Sequence, residues 1–150
     1  MPLSPVTLRK GLAARVAALG MKEAKGPLGA EMEPSTVIDR SFDVQFGDDA
    51  DTGERVKSGA HVRLVQSFAI RMVHRLKLGD GATARDVAIA DQSNVMRAML
   101  NRASPADTIS ECEATITYLG GAPEDRGGGA YRYTLTRWSV TYHLDLTAGA

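Results

Sequence analysis

The stretch VRLVQSFAIRMVHRL, residues 62–76, constrains the fold most, because its residues alternate strictly between two different faces. One face carries mainly large apolar side chains: Val62, Leu64, Gln66, Phe68, Ile70, Met72, His74 and Leu76. The other face mixes arginines with smaller residues: Arg63, Val65, Ser67, Ala69, Arg71, Val73 and Arg75. A period of two is the period of a β-strand. The stretch therefore predicts a long strand whose second face is neither fully polar nor fully apolar.

Three further segments alternate in the same way, and they predict three more strands. Residues 37–46 place Ile38, Phe42, Val44 and Phe46 on one face, and residues 109–120 form a half-buried strand that includes Cys112. Residues 131–146 place Trp138, Val140, Tyr142, Leu144 and Leu146 on the packed face. We expect Trp138 to pack against the second helix near Val95 or Met99.

Two segments have helical spacing. Ser4 and Pro5 predict a helix N-cap and first turn, and Leu8, Leu12, Val16 and Leu19 then mark a helical stripe that ends before Gly20. Thr83 and Asp86 resemble a capping box. The stripe of this second helix runs through Ala88, Ile89, Gln92, Val95, Met96, Met99 and Leu100. The charged residues Arg85, Asp91, Arg97 and Arg102 are predicted to lie largely off this stripe.

The order of these elements predicts an α+β fold in one domain, residues 1–150. We expect a four-stranded, mainly antiparallel sheet with two helices packed on one face, in the order α-β-β-α-β-β. Residues 22–36 contain Gly26, Pro27, Gly29 and Pro34, and are predicted to form a long loop or arm. Residues 47–60 are polar and predict a long hairpin loop, and the glycine-rich residues 120–130 predict a hairpin linker.

Composition excludes several classes of protein. Apolar residues make up 43% and charged residues 24%, which is typical of a globular domain, and 18 basic residues balance 18 acidic ones. No whole-molecule field therefore draws the chain to nucleic acid or to an anionic membrane. One cysteine, Cys112, excludes a disulfide framework and is expected to be a buried apolar residue. The sequence lacks a signal-peptide pattern and predicts synthesis in the cytoplasm.

No motif predicts catalysis, a cofactor or a metal. Gly127, Gly128 and Gly129 precede a strand rather than a helix and lack the lysine of a phosphate-binding loop. The three histidines, His61, His74 and His143, have no metal-ligand spacing. His143 and Asp145 share a strand face and could orient an imidazole for acid–base chemistry, although a polar exposed or interface pair is the simpler interpretation.

The sharpest polar feature is the arginine row Arg63, Arg71 and Arg75, whose side chains project in parallel from one strand face. These arginines could line a pore, face nucleic acid, pair across the sheet with Glu111 and Glu113, or contact a neighbouring subunit. The charged hairpin residues Asp48, Asp49, Asp51, Glu54 and Arg55 are the other candidates for a subunit interface or a lumen.

The helix, the long hairpin VIDRSFDVQF…HVRLVQSFAIRMVHRL, the crossing helix TARDVAIADQSNVMRAML and the closing hairpin ISECEATITYLG…YRYTLTRWSVTYHLDL together resemble the tail terminator (tail completion) proteins of long-tailed phages. The resemblance covers nearly the whole chain and is one of pattern and order. It implies a structural virion protein without enzymatic activity, located in the tail or neck. It further implies a homo-hexameric ring that caps the tail tube, joins it to a head-completion or stopper protein, and lets DNA pass through its lumen without sequence-specific binding.

Three alternatives remain open from the sequence. The chain could be another neck or head–tail connector component, because such components share small α+β folds. It could be a small-molecule-binding α+β domain with a pocket between the sheet and the second helix. It could be an enzyme that uses His143 and Asp145, which would need a nucleophile or a metal that the sequence does not display.

Overall fold

The computed structural model describes residues 3–28, 32–55, 61–76, 81–101, 107, 109 and 113–146. Its elements are α1 (Pro5–Ala17), β1 (Lys22–Glu23), a 3₁₀ turn (Pro34–Thr36), β2 (Ser41–Arg55), β3 (His61–Arg75), α2 (Gly81–Leu100), β4 (Thr115–Arg126) and β5 (Tyr131–Asp145). The α+β class and the predicted order of two helices and four long strands are confirmed. Cys112 lies outside the described residues.

The sheet has five strands in the order β1-β2-β3-β5-β4. The four long strands pair antiparallel, as predicted, but β1 adds a short parallel strand beside the start of β2. The prediction of four strands was therefore wrong by one. The two residues of β1 are too few to show the alternation by which a strand is recognised in sequence.

Helix α1 begins as the sequence predicts. The Ser4 hydroxyl accepts a hydrogen bond from the Thr7 amide at 3.2 Å, and Pro5 occupies the first turn, where its missing N–H costs nothing. Leu8, Leu12 and Val16 are buried, which confirms the predicted stripe. The helix ends at Ala17, two residues earlier than predicted.

Helix α2 starts at Gly81, so the predicted start at Thr83 with Asp86 three residues later was wrong. The helix buries Ala88, Asp91, Val95 and Met99, which follow helical spacing. Ile89 and Leu100, predicted to face the core, are exposed instead. The buried stripe therefore differs from the predicted one, because it excludes Ile89 and Leu100 and includes the charged Asp91, which was predicted to lie off the stripe.

Four aromatic residues form one row that crosses the long strands from edge to edge. Phe46, Phe68, Trp138 and Tyr118 are successive register partners on β2, β3, β5 and β4. Ring centroids are 6.3 Å apart for the first pair, 6.2 Å for the second and 4.7 Å for the third. Trp138 is fully buried in the same core cluster as Val95 and Met99 of α2, as predicted.

Two ends of the predicted apolar faces lie outside their strands. Ile38 precedes β2 and is 58% exposed, and Leu146 follows β5 and is 56% exposed. Alternation predicted both as packed, but the chain leaves the sheet at these points. The side chains are therefore not held over the core.

Residues 24–28 and 32–37, which we call the strap, cover one end of the second sheet face. Leu28 and Val37 are buried there against Val73, Tyr131 and Tyr133. The 22–36 segment predicted as a loop or arm thus contains β1, a 3₁₀ turn and part of a second small core. The strap explains why Val73, on the mixed face of β3, is fully buried.

Two predicted loops are largely strand. Residues 47–55 continue β2, so only residues 56–60 of the predicted hairpin loop lie outside the described residues. Residues 120–126 continue β4, and the turn is confined to residues 127–130. Conversely, β4 begins at Thr115 rather than near residue 109. Glycines and charges are tolerated in these strands because they lie at exposed sheet edges.

Candidate assembly surface

The arginine row of β3 is divided between three environments. Arg71 is buried beneath the strap, where it forms an ion pair with Asp43. Its Nε donates to Asp43 Oδ1 at 2.8 Å, and Asp43 Oδ2 also accepts a hydrogen bond from the Leu28 amide at 2.8 Å. The hydrogen bonds to Asp43 raise the pKa of Arg71 above its usual value, despite burial. This cross-strand pair anchors the strap to the sheet.

Arg63 lies at the other end of β3, where its Nη1 donates to Glu54 Oε2 at 2.9 Å. Arg75 has an exposed side chain, and its backbone amide donates to Asp39 Oδ1 at 2.9 Å. The three arginines therefore do not act as one row. Strand pairing brings Arg63 and Glu54 together, and the strap separates Arg71 from solvent.

The acidic hairpin residues lie along the outer edge of β2. Asp48, Asp49, Asp51 and Glu54 are all exposed, and the side chain of Arg55 is outside the described residues. Asp51 Oδ1 accepts a hydrogen bond from the Gly53 amide at 2.8 Å, which stabilises an irregular stretch of the strand. Burial is the main cause that raises the pKa of Tyr142, and the negative charge of Asp49 adds to it.

Sequence reasoning missed a second charged cluster, on the core side of the sheet. Asp91 of α2 accepts two hydrogen bonds from Arg40, both of 2.9 Å, and its Oδ2 lies 2.7 Å from His74 Nε2. Burial acts to raise the pKa of Asp91, but the hydrogen bonds from Arg40 and His74 outweigh it and hold this pKa below its usual value. The spacing of Asp91 from Ala88 and Val95 is the sequence signal that could have placed it inside.

The half of the second sheet face that the strap leaves uncovered, which we call the open face, carries mainly small side chains. Its members are half-buried or exposed: Val65, Ser67, Ala69, Thr115, Thr117, Arg137, Ser139 and Thr141. A depression of about 270 Å³ lies on it beside Leu119, a residue that bulges out of β4 and is 60% exposed. Small side chains allow another polypeptide to approach the sheet closely.

Both long edges of the sheet have unpaired stretches within the described part of the chain. β1 covers β2 only at Ser41 and Phe42, so the outer side of β2 is unpaired from Val44 onward. β4 is the opposite edge and pairs with β5 alone. Unpaired strand edges are templates for pairing with another chain.

Two of the alternatives from the sequence, a small-molecule-binding domain and an enzyme that uses His143 and Asp145, concern particular places in the structure. A depression of about 500 Å³ lies at the surface along the end of α2, lined by Ser93, Met96, Arg97, Leu100 and Asn101. His143 and Asp145 share a face, and their backbones bond to Leu3. Among the described residues no group of three or more histidines, cysteines or carboxylates could hold a metal ion. Neither α-helix of the described chain is long and apolar enough to span a bilayer.

Comparison with known proteins gives similarity in structure only. No protein-family model matches the sequence, and no curated protein does so. A chain of the virion of a native gene transfer agent particle shares the fold with a TM-score of 0.52 and 14% sequence identity, over 91% of this chain and 94% of that one. The sheath/tube terminator of an extracellular contractile injection system, PVC, in its extended state has a TM-score of 0.57 and 14% identity. That match covers 99% of this chain and 59% of the terminator. The predicted resemblance to tail terminators is therefore confirmed at the level of the fold.

Proposed function

We propose that this protein is a structural subunit of a phage tail or a tail-like particle, and that it acts as a tail terminator rather than as an enzyme. The observation that carries the proposal is the fold shared with a sheath/tube terminator over 99% of this chain. The similar chain from the gene transfer agent virion, which is matched over 94% of its length, supports a role as a component of a particle. In this proposal the subunit is made in the host cytoplasm and resides in the tail or neck of the particle.

The terminator forms a closed ring of six copies that caps the tail tube. The surfaces described above support assembly, because the open face and two unpaired strand edges are left without a partner inside the described subunit. The candidate interface and lumen residues are then Arg63, Arg75, Asp48, Asp49, Asp51, Glu54 and Arg55. Arg71, which is buried with Asp43, supports the subunit itself.

The other partners are a tail tube protein on one side of the ring and a head-completion or stopper protein on the other. DNA passes through the lumen without sequence-specific contacts. The equal numbers of basic and acidic residues suit this role, because a strongly basic lumen would hold the phosphate backbone.

The test is a capping assay with purified tail tube protein. We expect the chain to bind one end of assembled tubes, to stop their elongation, and to appear there as a ring in electron micrographs. A chain that binds head-completion proteins but leaves tube ends free would be another neck component. A chain that remains monomeric with both partners would contradict the proposal.

A further inference from the structure

We infer that the ring closes by strand pairing, with the free edge of β4 in one copy joined to the free edge of β2 in the next. The occupant of each edge is thus a second copy of this chain. This inference rests on the proposed ring, and it specifies which surfaces make the ring.

The two edges are blocked in the same row of the sheet. Phe42, Met72, Thr134 and Pro123 are successive register partners on β2, β3, β5 and β4. In this row β2 is already covered by β1, and on β4 Pro123 has no N–H to donate. Neither edge can take a full strand partner at this level.

Beside the blocked row, both edges become free of a neighbouring strand in one and the same row. That row runs from Val44 on β2 through Ile70 and Thr136 to Gly121 on β4. From there β2 is unpaired to Arg55 and β4 is unpaired to Thr115. An unrelated partner would not require the free stretches to match, whereas self-pairing around a ring does.

Strand direction also fits pairing between copies. β2 and β3, β3 and β5, and β5 and β4 are each antiparallel, so β4 runs opposite to β2. Rotation about a ring axis keeps the direction of every strand along that axis, and β4 therefore meets the next copy's β2 in antiparallel orientation. The sheet continues through the interface with the same hydrogen-bond pattern that it has inside each subunit.

The irregularities of the two edges also coincide. β2 bulges after Phe46 and β4 bulges after Tyr118, on either side of the same aromatic row. At β4, Gly121 leaves no room for a side chain, because a Cβ atom there would lie 2.7 Å from the Tyr118 hydroxyl. Each bulge lies next to the aromatic row, so strand twist increases at both edges in the same part of the sheet, and such twist helps a sheet to bend into a closed ring.

Charge supports the same contact. The free edge of β2 carries Asp48 and Asp49, which are exposed. Next to the free edge of β4 lies Arg137, which is exposed and pairs with Gly120 in the sheet, and no salt bridge found among the described residues includes it. Arg137 is positioned to face the acidic edge of the neighbouring copy.

The test is hydrogen exchange on the unaltered chain, first as the free subunit and then in the capped-tube assembly. We expect amides of residues 44–55 and 115–121 to exchange about tenfold or more slowly in the assembly, with no comparable change at residues 22–23 and 123–126. Rings that form without added protection at both edges would overturn the inference and leave the proposed function intact. Absence of rings would instead contradict the proposed function itself.

Cross-linking adds a positive test with a matched control. Gln45 and Thr117 are exposed and lie on the same sheet face, but three strand spacings, about 14 Å in all, separate their strands within one subunit. In row-to-row pairing these positions are offset by two residues along the facing strands, so a short bifunctional thiol cross-linker, rather than a direct disulfide, would join Gln45→Cys to Thr117→Cys, and only between copies. In a Cys112→Ser background we expect a ladder of covalent oligomers, and none for Glu33→Cys with Thr117→Cys. A ladder in the control alone would contradict the inference.

Discussion

Asp91 Oδ2 lies 2.7 Å from Nε2 of His74, and this contact joins α2 to β3 inside the core. The same carboxylate accepts two hydrogen bonds from Arg40, which precedes β2 and has a left-handed φ of 55°. A residue other than glycine pays a conformational cost in that region. The buried carboxylate therefore holds three separate elements together and compensates for a strained turn.

We expect Asp91→Asn to destabilise the subunit, because it leaves Arg40 and His74 without their shared anion. The free energy of unfolding should fall by about 3 kcal/mol. This is the lower end of the range for a broken buried ion pair, since the Arg40 side chain remains 35% exposed. Urea denaturation measures the loss. Asp86→Asn, at an exposed position on the same helix, is the control and should change stability by less than about 0.5 kcal/mol. Equal stability of the two variants would show that the cluster contributes nothing.

The lowered pKa of Asp91 makes stability depend on pH. Below the ordinary carboxyl pKa of 3.8 the unfolded chain binds a proton at this residue that the folded chain does not. The contribution of Asp91 is therefore present above that pH and is lost as the pH falls through the lower folded value. The free energy of unfolding, measured between about pH 2 and 6, should decrease less steeply with falling pH for Asp91→Asn than for the natural chain. Parallel curves for the two proteins would exclude this source of acid sensitivity.

The Asp43–Arg71 pair under the strap should show strong coupling. Asp43→Leu leaves a buried guanidinium unpaired and should cost about 3–5 kcal/mol. Adding Arg71→Met removes the stranded charge, so the double variant should recover much of this loss. Denaturation of the two single variants and the double variant gives the coupling energy. Additive losses would mean that the two side chains do not interact in solution.

Replacement by valine should affect the stability of the subunit differently at two nearby threonines on β5. Thr136 Oγ1 donates to the Ile70 carbonyl and accepts from Trp138 Nε1, both at 2.8 Å. Thr134 Oγ1 is buried and has no hydrogen-bond partner in the described structure. Thr136→Val should therefore cost about 1–3 kcal/mol, whereas Thr134→Val should be neutral or stabilising. Thermal unfolding distinguishes the two, and a Thr134→Val variant as unstable as Thr136→Val would show that the Thr134 hydroxyl is satisfied.

Alternation of side chains was enough to predict the long strands and their order, because a period of two sustained over many residues is the period of an extended strand and not of a helix. It also placed Trp138 in the core. Alternation does not reveal where a strand leaves the sheet. Ile38 and Leu146 were predicted as packed for that reason, although both lie just beyond a strand end.

The candidate site was less predictable, because it depends on which segment covers which part of the sheet. The row Arg63, Arg71 and Arg75 looks uniform in sequence, but the strap buries Arg71 alone. Nothing local in residues 22–36 indicates that this glycine- and proline-rich segment lies on the sheet. Asp91 was missed because a charge within a helical stripe was assigned to the surface, and its partners are distant in sequence.

The central claim is that this subunit closes into a six-membered ring on a tail tube, and native mass spectrometry of the chain bound to tail tube protein tests it most directly. We expect a ring mass of six copies that remains after the tube is dissociated, in agreement with paired β2 and β4 edges. A mass of one or two copies at every concentration, with tube protein present, would contradict the account.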